Sequence, residues 1–454
     1  MGEARAARRF YIETYGCQMN AYDSQVIEGV LEAAGLEAVA RPEDSDLIII
    51  NTCSVRDQAE QRVLGRISQL DGLRRGRRER LLLGVVGCMA QRLGPALFGG
   101  GRGRSRVDFV VGPLQYKRLP RILAQVEASP RPDAANYFTD FDDLVTYQAK
   151  PKSAPPGGTH FVAVMHGCDK FCAYCIVPYT RGRERSKDWR EIVEEVELLA
   201  ARGAFEVTLL GQTISSYAFA GVDFAGLLAK LHAVEGIQSI RFLTSYPTDM
   251  TPALFAAISA LPKVGTGIHL PFQSGSNAIL SAMNRRYRIE EYEAILAEGR
   301  REIPDLLYST DIIVGYPGET EADFQATLDV VERQGFSAAF MFKYSPREGT
   351  LASRRGGAEL PAAVKEERLA RLSAAQDRQT QAVLAAQLGR ELEILLDEPS
   401  KKDETRLRGR TRNNLRVIVE ARPDLRIGMK IRVRPTAIAG TSLLADLADA
   451  APGG

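Results

Sequence analysis

The 454-residue sequence predicts an α/β protein built in three parts. Strand-like apolar runs alternate with amphipathic helical segments along most of the chain, a pattern typical of parallel sheets with helical crossovers. A proline-rich segment at 128–157 separates two groups of these elements, as linkers do. After about residue 390 the pattern changes to short strands between turn residues, which indicates a small β-barrel. We predict an amino-terminal parallel α/β sheet domain over 8–127, a central partial barrel of six βα units over 158–384, and an OB-like β-barrel over 386–449.

The composition narrows the class of protein. The net charge is only +2, and 45% of the residues are hydrophobic, as in ordinary folded proteins. No apolar run approaches the ~20 residues that span a membrane, and the first residues contain no apolar segment of a secretion signal. Six cysteines without an export signal favour thiols or metal ligands over disulfides. We therefore expect a cytoplasmic protein that does not associate with membranes.

Three strand-like runs in the amino-terminal part each lead to a cysteine. The runs and their cysteines are 9–15 with Cys17, 46–51 with Cys53 and 81–86 with Cys88. Helical segments at 23–34 and 56–70 connect the runs, so the strands are expected to be parallel and their carboxyl ends to share one sheet edge, where such folds bind ligands. The alternative is three buried core residues, because free cysteine is often buried. The repeated placement favours a metal cluster with three protein ligands.

The other three cysteines lie close together, at Cys168, Cys172 and Cys175, with the spacing C-x3-C-x2-C. A strand-like run at 161–165 leads into them, so they are expected on a loop at the carboxyl end of a strand. Thiolates are the ligands of iron–sulfur clusters, and three of them leave the fourth iron of a cube open to a non-protein ligand. Zinc held together with His166 and buried core thiols are the alternatives, but only one residue separates His166 from Cys168, a tight reach around one ion.

The remaining strand-like runs of the central part end in polar, glycine-rich segments. Hydroxyl, amide and backbone groups at the carboxyl ends of barrel strands suit a ligand that contains a ribose, an adenine and a zwitterion. Ordinary turn chemistry is the alternative, because glycine, proline and serine dominate turns. The candidate ligand-binding residues are Gly211, Gln212, Ser245, Gln273, Ser274, Asp311 and Gly315.

Positive charge is concentrated near the carboxyl end of the chain. Residues 401–434 contain twelve Lys or Arg against four Asp or Glu. Alternate positions of a strand share one face, so basic residues there can follow a phosphate backbone; a solvated surface is the alternative. The candidate RNA-binding residues are Arg408, Arg410, Arg412, Asn414, Lys430, Arg432 and Arg434.

Taken together, these motifs resemble the radical S-adenosylmethionine (SAM) methylthiotransferases. The resemblance runs from about residue 9 to 447. The similar segments include YGCQMN at 15–20, NTCSVR at 51–56, the three-cysteine loop, HLPFQSGS at 269–276, DIIVGYPGE at 311–319 and GRTRNN at 409–414. The residues after Cys17 are similar to those of the MiaB-type branch, whose members act on N6-dimethylallyladenosine next to the anticodon of tRNA.

The resemblance implies the fold, the cofactors and the reaction. It implies a radical SAM barrel in the centre and a tRNA-binding TRAM domain at the carboxyl end. It also implies two [4Fe–4S] clusters, an auxiliary one on Cys17, Cys53 and Cys88 and a radical SAM one on the loop cysteines, with SAM bound by the barrel residues named above. A methylthio group would be added to carbon 2 of the modified adenosine, with one SAM supplying the methyl group and another the radical.

The implied partners are the anticodon stem-loop of tRNA and an electron donor such as flavodoxin or ferredoxin. The sulfur donor is not implied, and we expect a monomer. Threonylcarbamoyladenosine in tRNA, a ribosomal protein, and a non-catalytic RNA-binding role for an iron–sulfur protein are the alternatives. Three positions depart from the usual residues of the family, namely Thr213, Ser215 and Tyr246.

Overall fold

The computed structural model describes residues 8–54, 57–74, 77, 80–98, 107–128, 136–140, 157–357, 359–400 and 403–448. Contacts divide the chain into two compact units. The first unit takes its residues from Met1–Ala154, Met165–Asp169 and Cys175–Lys187, and the second from Pro155–Val164, Lys170–Tyr174 and Asp188–Gly454. No helix among the described residues is long and apolar enough to cross a membrane.

Strands and helices are numbered along the chain. The strands are β1 Arg9–Tyr15, β2 Glu37–Ala38, β3 Leu47–Thr52, β4 Leu82–Gly87, β5 Phe109–Val111, β6 Tyr137–Phe138, β7 Gly158–Ala163, β8 Met165–His166, β9 Arg185–Ser186, β10 Ala204–Leu210, β11 Ala218–Phe219, β12 Val222–Asp223, β13 Ser239–Phe242, β14 Gly267–His269, β15 Leu307–Val314, β16 Ala338–Lys343, β17 Leu392–Pro399, β18 Arg406–Thr411, β19 Arg416–Glu420, β20 Lys430–Ala439 and β21 Ser442–Leu447. The α-helices are α1 Gln18–Ala33, α2 Asp57–Gly72, α3 Cys88–Leu93, α4 Leu119–Ala128, α5 Val177–Arg181, α6 Trp189–Ala201, α7 Phe224–His232, α8 Pro252–Ala260, α9 Asn277–Ala282, α10 Ile289–Glu302, α11 Glu321–Gln334, α12 Leu351–Arg355 and α13 Ala362–Ala385.

The first unit contains a sheet of six parallel strands in the order β2-β1-β3-β4-β5-β6. Every residue of β3 and β4 is buried, because these strands lie in the middle of the sheet and parallel sheets are covered on both faces. The predicted amino-terminal parallel α/β domain is confirmed.

The start of helix α1 and the presence of strand β6 differ from the sequence prediction. Helix α1 begins at Gln18 rather than near residue 23, because the side chain of Asn20 accepts a hydrogen bond from the backbone of Cys17 (3.3 Å) and caps the helix there. Strand β6 lies within the predicted linker 128–157 and pairs with β5; two residues are too short to leave a pattern. The rest of that segment, apart from 128, 136–140 and 157, is outside the described residues, so the predicted domain bounds stay predictions.

The second unit contains the barrel. Its parallel strands form two sheets, β13-β10-β7 and β14-β15-β16. A bridge from Ile240 to Val264 and a hydrogen bond from the Ser245 amide to the His269 carbonyl (3.2 Å) join them. Six strands therefore follow one another in chain order, with helices between them, and the predicted partial (βα)6 barrel is confirmed.

The carboxyl-terminal strands form a closed barrel in the order β17-β18-β19-β21-β20, and β20 pairs with β17 to close it. Strand β19 pairs in parallel with β21, while the other pairs are antiparallel. This order of strands is that of the OB fold. The core of this small barrel includes Leu396, Val417, Val433 and Leu443, and the predicted β-barrel is confirmed.

Candidate functional site

The three scattered cysteines of the first unit come to one edge of its sheet. Strands β1, β3 and β4 are neighbours, and their registers align Tyr15 with Thr52 and Thr52 with Gly87. Cys53 and Cys88 directly follow the last two of these residues, and Cys17 comes two residues after the first. The parallel register thus places the cysteines side by side at the carboxyl edge, where the sequence pattern predicted them.

Glycine is required before two of these cysteines. Gly16 has φ +148°, and a Cβ added there would lie 2.6 Å from the Cβ of Cys53. Gly87 has φ +98°, and a Cβ there would lie 2.4 Å from the carbonyl oxygen of Thr52. Any larger residue would push the strand ends apart, so the two glycines allow the cysteine-bearing turns to approach closely.

Two buried asparagines tie the turns together. The Asn20 amide donates hydrogen bonds to the side chain of Asn51 (3.2 Å) and to the carbonyl of Thr52 (3.1 Å). The Asn51 amide in turn donates to the carbonyl of Asn20 (2.9 Å) and to Ser24 (2.9 Å). Because an unpaired buried amide is costly, this network fixes the start of α1, next to Cys17, against the end of β3, next to Cys53.

The electrostatic surroundings favour a thiolate at Cys17. A hydrogen bond from Cys53 lowers the pKa of Cys17 to about 6, and Arg181 and the first backbone amides of α1 also lower it. Burial raises the pKa of Cys88, and Arg181 opposes that rise. The Arg181 guanidinium is itself paired with Asp23 (2.6 Å).

These features fit a cluster with three cysteine ligands, since soft sulfur donors lie at one edge beside a cation. All six cysteines of the chain are reduced rather than disulfide-bonded. Within the described part of the chain, no three Cys, His, Asp or Glu side chains are arranged as ligands of one metal ion. The thiolates of an iron–sulfur cube each bind a different iron, so they stand further apart than the ligands of a single ion.

The loop cysteines are anchored differently. Cys168 and Gly182 both belong to the first unit, and the backbone amide of Cys168 donates a hydrogen bond to the carbonyl of Gly182 (3.2 Å). A Cβ on Gly167, which has φ +71°, would lie 2.0 Å from the carbonyl oxygen of Arg183. Burial, together with Arg181 and Arg185, lowers the pKa of His166 to about 4, so this side chain is neutral at pH 7. The start of the loop is thus fixed by its own backbone.

The second unit contributes a clamp around Cys172. The Asn284 amide donates to the carbonyl of Phe171 (2.7 Å), and the Ala173 amide donates to the carbonyl of Met283 (2.8 Å). The buried Arg285 guanidinium donates to the sulfur of Cys172 (3.5 Å) and to the carbonyl of Pro271 (2.7 Å). A cation beside a thiolate ligand offsets its charge, so Arg285 suits a cluster at this loop.

Two of the predicted ligand-binding residues carry buried polar atoms without a protein partner. These atoms are Oε1 of Gln212, which follows β10, and Oγ of Ser245, which follows β13. A buried polar atom is normally hydrogen-bonded, so a ligand with polar groups fits here. Gly211 stands beside Gln212 at the end of β10.

Asp311 and Gln273 belong to the other half of the barrel. Asp311 lies on β15, with its Oδ1 3.3 Å from Nε2 of His269, whose Nδ1 is 3.0 Å from Oγ of Ser309. Gln273 has φ +70°, and its backbone amide donates a hydrogen bond to the backbone carbonyl of Asp311 (2.9 Å). Polar groups of two adjacent strands therefore meet on one face.

Ser274 and Gly315 shape the surrounding turns. Oγ of Ser274 lies 3.5 Å from Oγ1 of Thr327. The Gly315 amide donates to the buried carboxylate of Glu319 (2.6 Å), which is paired with Arg368 of α13 (2.7 Å). Their polar groups are thus already used within the protein, in contrast to those of Gln212 and Ser245.

Several predicted RNA-binding residues also have protein partners. Arg408 forms a two-pronged pair with Asp397, with both contacts at 2.9 Å. Arg410 contacts Asp397 (2.6 Å) and Glu206 on β10, while Arg412 donates to the carbonyls of Val264 (2.9 Å) and Ile258 (2.8 Å). Arg410 and Arg412 therefore join the OB-like barrel to the central barrel, and their role in RNA binding stays a prediction.

Three exposed residues of the basic stretch lie on β20. Lys430, Arg432 and Arg434 alternate with the less exposed Ile431 and Val433 and point outward, as the alternation predicted. Lys430 lies 3.4 Å from Glu393, and Arg432 lies 3.1 Å from Glu391. Asn414, with φ +72°, occupies the turn between β18 and β19. Lys401 and Lys402, counted in the basic stretch, are outside the described residues.

Comparison with known proteins identifies the family. Residues 9–112 match the uncharacterized protein family UPF0004, and residues 162–331 match the radical SAM superfamily. The chain is 43% identical to the tRNA-2-methylthio-N(6)-dimethylallyladenosine synthase of Moorella thermoacetica, over 95% of this chain and 96% of that protein. It is 42% identical to the synthase of Bacteroides thetaiotaomicron, over 96% and 95% of the two chains. The chain belongs to this family of synthases.

A solved structure supports the fold. The radical SAM methyltransferase TsrM from Kitasatospora setae, solved with tryptophan and a SAM analogue, matches with a TM-score of 0.57 over 74% of this chain and 73% of that one. At 13% identity the match concerns the fold alone. Together with the family, this makes the chain a radical SAM methylthiotransferase whose cofactors are SAM and [4Fe–4S] clusters.

The departures from the usual residues of the synthase family lie next to the cysteine loop. The Tyr246 amide donates to Oγ of Ser215 (3.0 Å), so two of the departures contact each other. The Tyr246 ring lies under the ammonium of Lys170 (4.6 Å) and the guanidinium of Arg285 (4.5 Å). The carbonyl of Thr213 accepts from Ser216 (2.6 Å). Of the three departures, Tyr246 thus contacts the loop that carries Cys172, through Lys170.

Four residues near the cysteines were missed by sequence reasoning, namely Asp23, Asn51, Arg181 and Arg285. The sequence offers a weak signal for two of them: Asn51 stands within NTC, and Arg181 follows the loop cysteines. Asp23 and Arg285 become visible only through the fold, because their partners Arg181 and Cys172 are 158 and 113 residues away in the chain.

Proposed function

We propose that this enzyme adds a methylthio group to carbon 2 of N6-dimethylallyladenosine, next to the anticodon of tRNA. The observation that carries the proposal is the presence of two separate sets of three reduced cysteines, one at the edge of a parallel sheet and one on the loop before α5. The 43% identity with a synthase of this specificity supports the choice of substrate.

In this proposal each set of cysteines holds one [4Fe–4S] cluster. Cys168, Cys172 and Cys175 hold the cluster that takes SAM, while the auxiliary cluster is on Cys17, Cys53 and Cys88. With SAM bound, a cluster on these three cysteines would supply radical chemistry, which carbon 2 needs because an unactivated aromatic carbon has no acid–base route to substitution.

The protein's own residues orient SAM at the carboxyl ends of the barrel strands. Gln212 and Ser245 have buried acceptor atoms without protein partners, and they are assigned to the polar groups of SAM. Asp311, held by His269, and the backbone at Gln273 supply further polar groups. Gly211, Ser274 and Gly315 shape the turns, and Arg285 offsets the charge at Cys172 while holding the loop in place.

The substrate is proposed to be the anticodon stem-loop of tRNA. Lys430, Arg432 and Arg434 form an exposed row on β20 that suits a phosphate backbone, with Arg408 at the margin of the same barrel. Flavodoxin or ferredoxin is the proposed electron donor, and the enzyme is proposed to act as a monomer in the cytoplasm.

The test is an assay of nucleosides from defined RNA. Anaerobically reconstituted protein is mixed with SAM, a sulfide source, reduced flavodoxin and an anticodon stem-loop that carries N6-dimethylallyladenosine. Mass spectrometry should find the 2-methylthio nucleoside in this RNA and not in matched RNAs with adenosine or threonylcarbamoyladenosine. Methylthiolation of threonylcarbamoyladenosine instead would overturn the substrate, and an absence of SAM cleavage by iron-loaded protein would overturn the reaction.

A further inference from the structure

The first unit contains a buried ion pair between α5 and α1. Arg181, the last residue of α5, contacts Asp23 on α1 at 2.6 Å, and the two side chains are 4% and 0% exposed. Burial of two charges costs desolvation energy that their attraction barely offsets, so such a pair is weak evidence for stability. Its location is more informative.

Arg181 lies beside the cysteines at the edge of the sheet. Helix α1, which carries Asp23, starts directly after Cys17, and α3 starts at Cys88. Helix α5, which ends in Arg181, packs against α3. Arg181 forms a hydrogen bond with Cys88, and the positive charge of its guanidinium lowers the pKa of both Cys17 and Cys88. A fixed cation therefore faces two of the three proposed ligands of the auxiliary cluster.

We infer that Arg181 is a positioning residue of the auxiliary cluster, which donates a hydrogen bond to a cluster sulfur and raises the reduction potential of the cluster. This inference rests on the proposed function, which assigns Cys17, Cys53 and Cys88 to that cluster. Reduction adds negative charge, and a nearby cation with a hydrogen bond to sulfur stabilises the reduced form. Asp23 orients the guanidinium, and the negative charge of its carboxylate reduces the rise in potential that Arg181 causes.

The inference also links the two cysteine sets along the chain. Arg181 follows Cys175 by six residues, so the segment that carries the loop cysteines also supplies the cation for the other set. The electrostatic surroundings of the cysteines at the sheet edge therefore depend on where the segment after the loop places Arg181.

The experiment isolates the auxiliary cluster. Full-length protein with Cys168, Cys172 and Cys175 changed to Ala is the parent, and R181Q, R181K and D23N are added to it singly. Iron content is measured, and the midpoint potential is obtained from a redox titration followed by electron paramagnetic resonance. We expect a lower potential for R181Q, a higher potential for D23N, and a potential near that of the parent for R181K. Arg66→Gln is the control, because Arg66 is paired with Glu13 in the same unit (3.0 Å), and it should leave the potential unchanged.

Opposite shifts of the midpoint potential are decisive, because R181Q and D23N break the same ion pair but remove charges of opposite sign. Shifts in one direction, or none, would mean that the pair only supports the fold and would overturn the inference. If R181Q does not fold, D23N/R181Q, which leaves no unpaired buried charge, should have a lower potential than D23N; an equal potential would again overturn the inference. If the parent binds no cluster although folded, the assignment of the auxiliary site fails, and with it the proposed function.

Discussion

The two cysteine sets are built in different ways. Cys168, Cys172 and Cys175 lie within one short loop, so their spacing in the sequence already determines that they can share a cluster. Cys17, Cys53 and Cys88 are brought together by the register of three parallel strands, two glycines and an asparagine network. The spacing of a local set is determined by its own short segment, whereas the spacing of an assembled set depends on the rest of the sheet. The following predictions test this difference.

The largest effects should come from the cysteines themselves. Reconstituted protein should contain about eight irons, and alanine at Cys168, Cys172 and Cys175 should leave about four and abolish SAM cleavage. Alanine at Cys17, Cys53 and Cys88 should also leave about four irons but keep SAM cleavage, with no methylthio product. Iron assays and chromatography of 5′-deoxyadenosine measure both. Stoichiometric zinc in place of iron, or product from the second variant, would contradict the assignment.

A large effect is also expected from removal of the OB-like barrel. The strand pattern alone suggests an independent module, but Arg410 and Arg412 contact groups of the central barrel. Truncation after Arg390 removes Arg410, the partner of the buried Glu206, and the Thr411 carbonyl, which accepts a hydrogen bond from the buried Arg241 (3.1 Å). We therefore expect a marked loss of thermal stability together with reduced SAM cleavage. The single change Arg410→Met should cost about 1–3 kcal/mol, as for a buried acceptor that loses one partner.

Thermal unfolding and SAM cleavage of these two variants check the prediction. The matched control is Arg422→Met, because the exposed Arg422 guanidinium pairs with Asp424, two residues away on the surface; this variant should unfold like the unmodified protein. An equally stable truncated protein would mean that the OB-like barrel is a separate domain after all.

A moderate and selective effect should follow from changing Asn51, near the sheet-edge cysteines, or Asn284, near the loop cysteines. Asn51→Ala leaves the buried Asn20 amide without one partner and should cost about 1–3 kcal/mol. It should lower iron at the auxiliary site while SAM cleavage continues. Asn284→Ala releases the carbonyl of Phe171 near Cys172, so it should reduce SAM cleavage and spare the auxiliary iron. Identical behaviour of the two variants would remove the contrast between the sites.

Most of the strands and their parallel arrangement could be predicted from the sequence, because each strand is marked by the apolar residues of its own segment. Apolar runs predicted β1, β3 and β4, and parallel topology then brought their cysteines together. The charge pairs could not be predicted: Arg181 with Asp23 and Arg410 with Glu206 join residues 158 and 204 positions apart. The same limit applies to the basic carboxyl-terminal stretch, where charge alone does not distinguish Arg412, bound to backbone carbonyls, from exposed Arg432.

The smallest effect concerns this exposed row on β20. Lys430 and Arg432 have carboxylate neighbours, but exposed ion pairs contribute only about 0–1 kcal/mol, so tRNA phosphates can replace them. Changing Lys430, Arg432 and Arg434 to Ser should weaken tRNA binding and reduce the slope of log affinity against log salt by about 2–3. SAM cleavage and the preference for dimethylallyladenosine should not change, since phosphate contacts carry no base information. Arg333→Ser, on the exposed face of α11 beside Glu293, is the control and should keep the full slope. An unchanged slope in the triple variant would show that tRNA binds elsewhere, and a changed base preference would show that this row contacts more than the backbone.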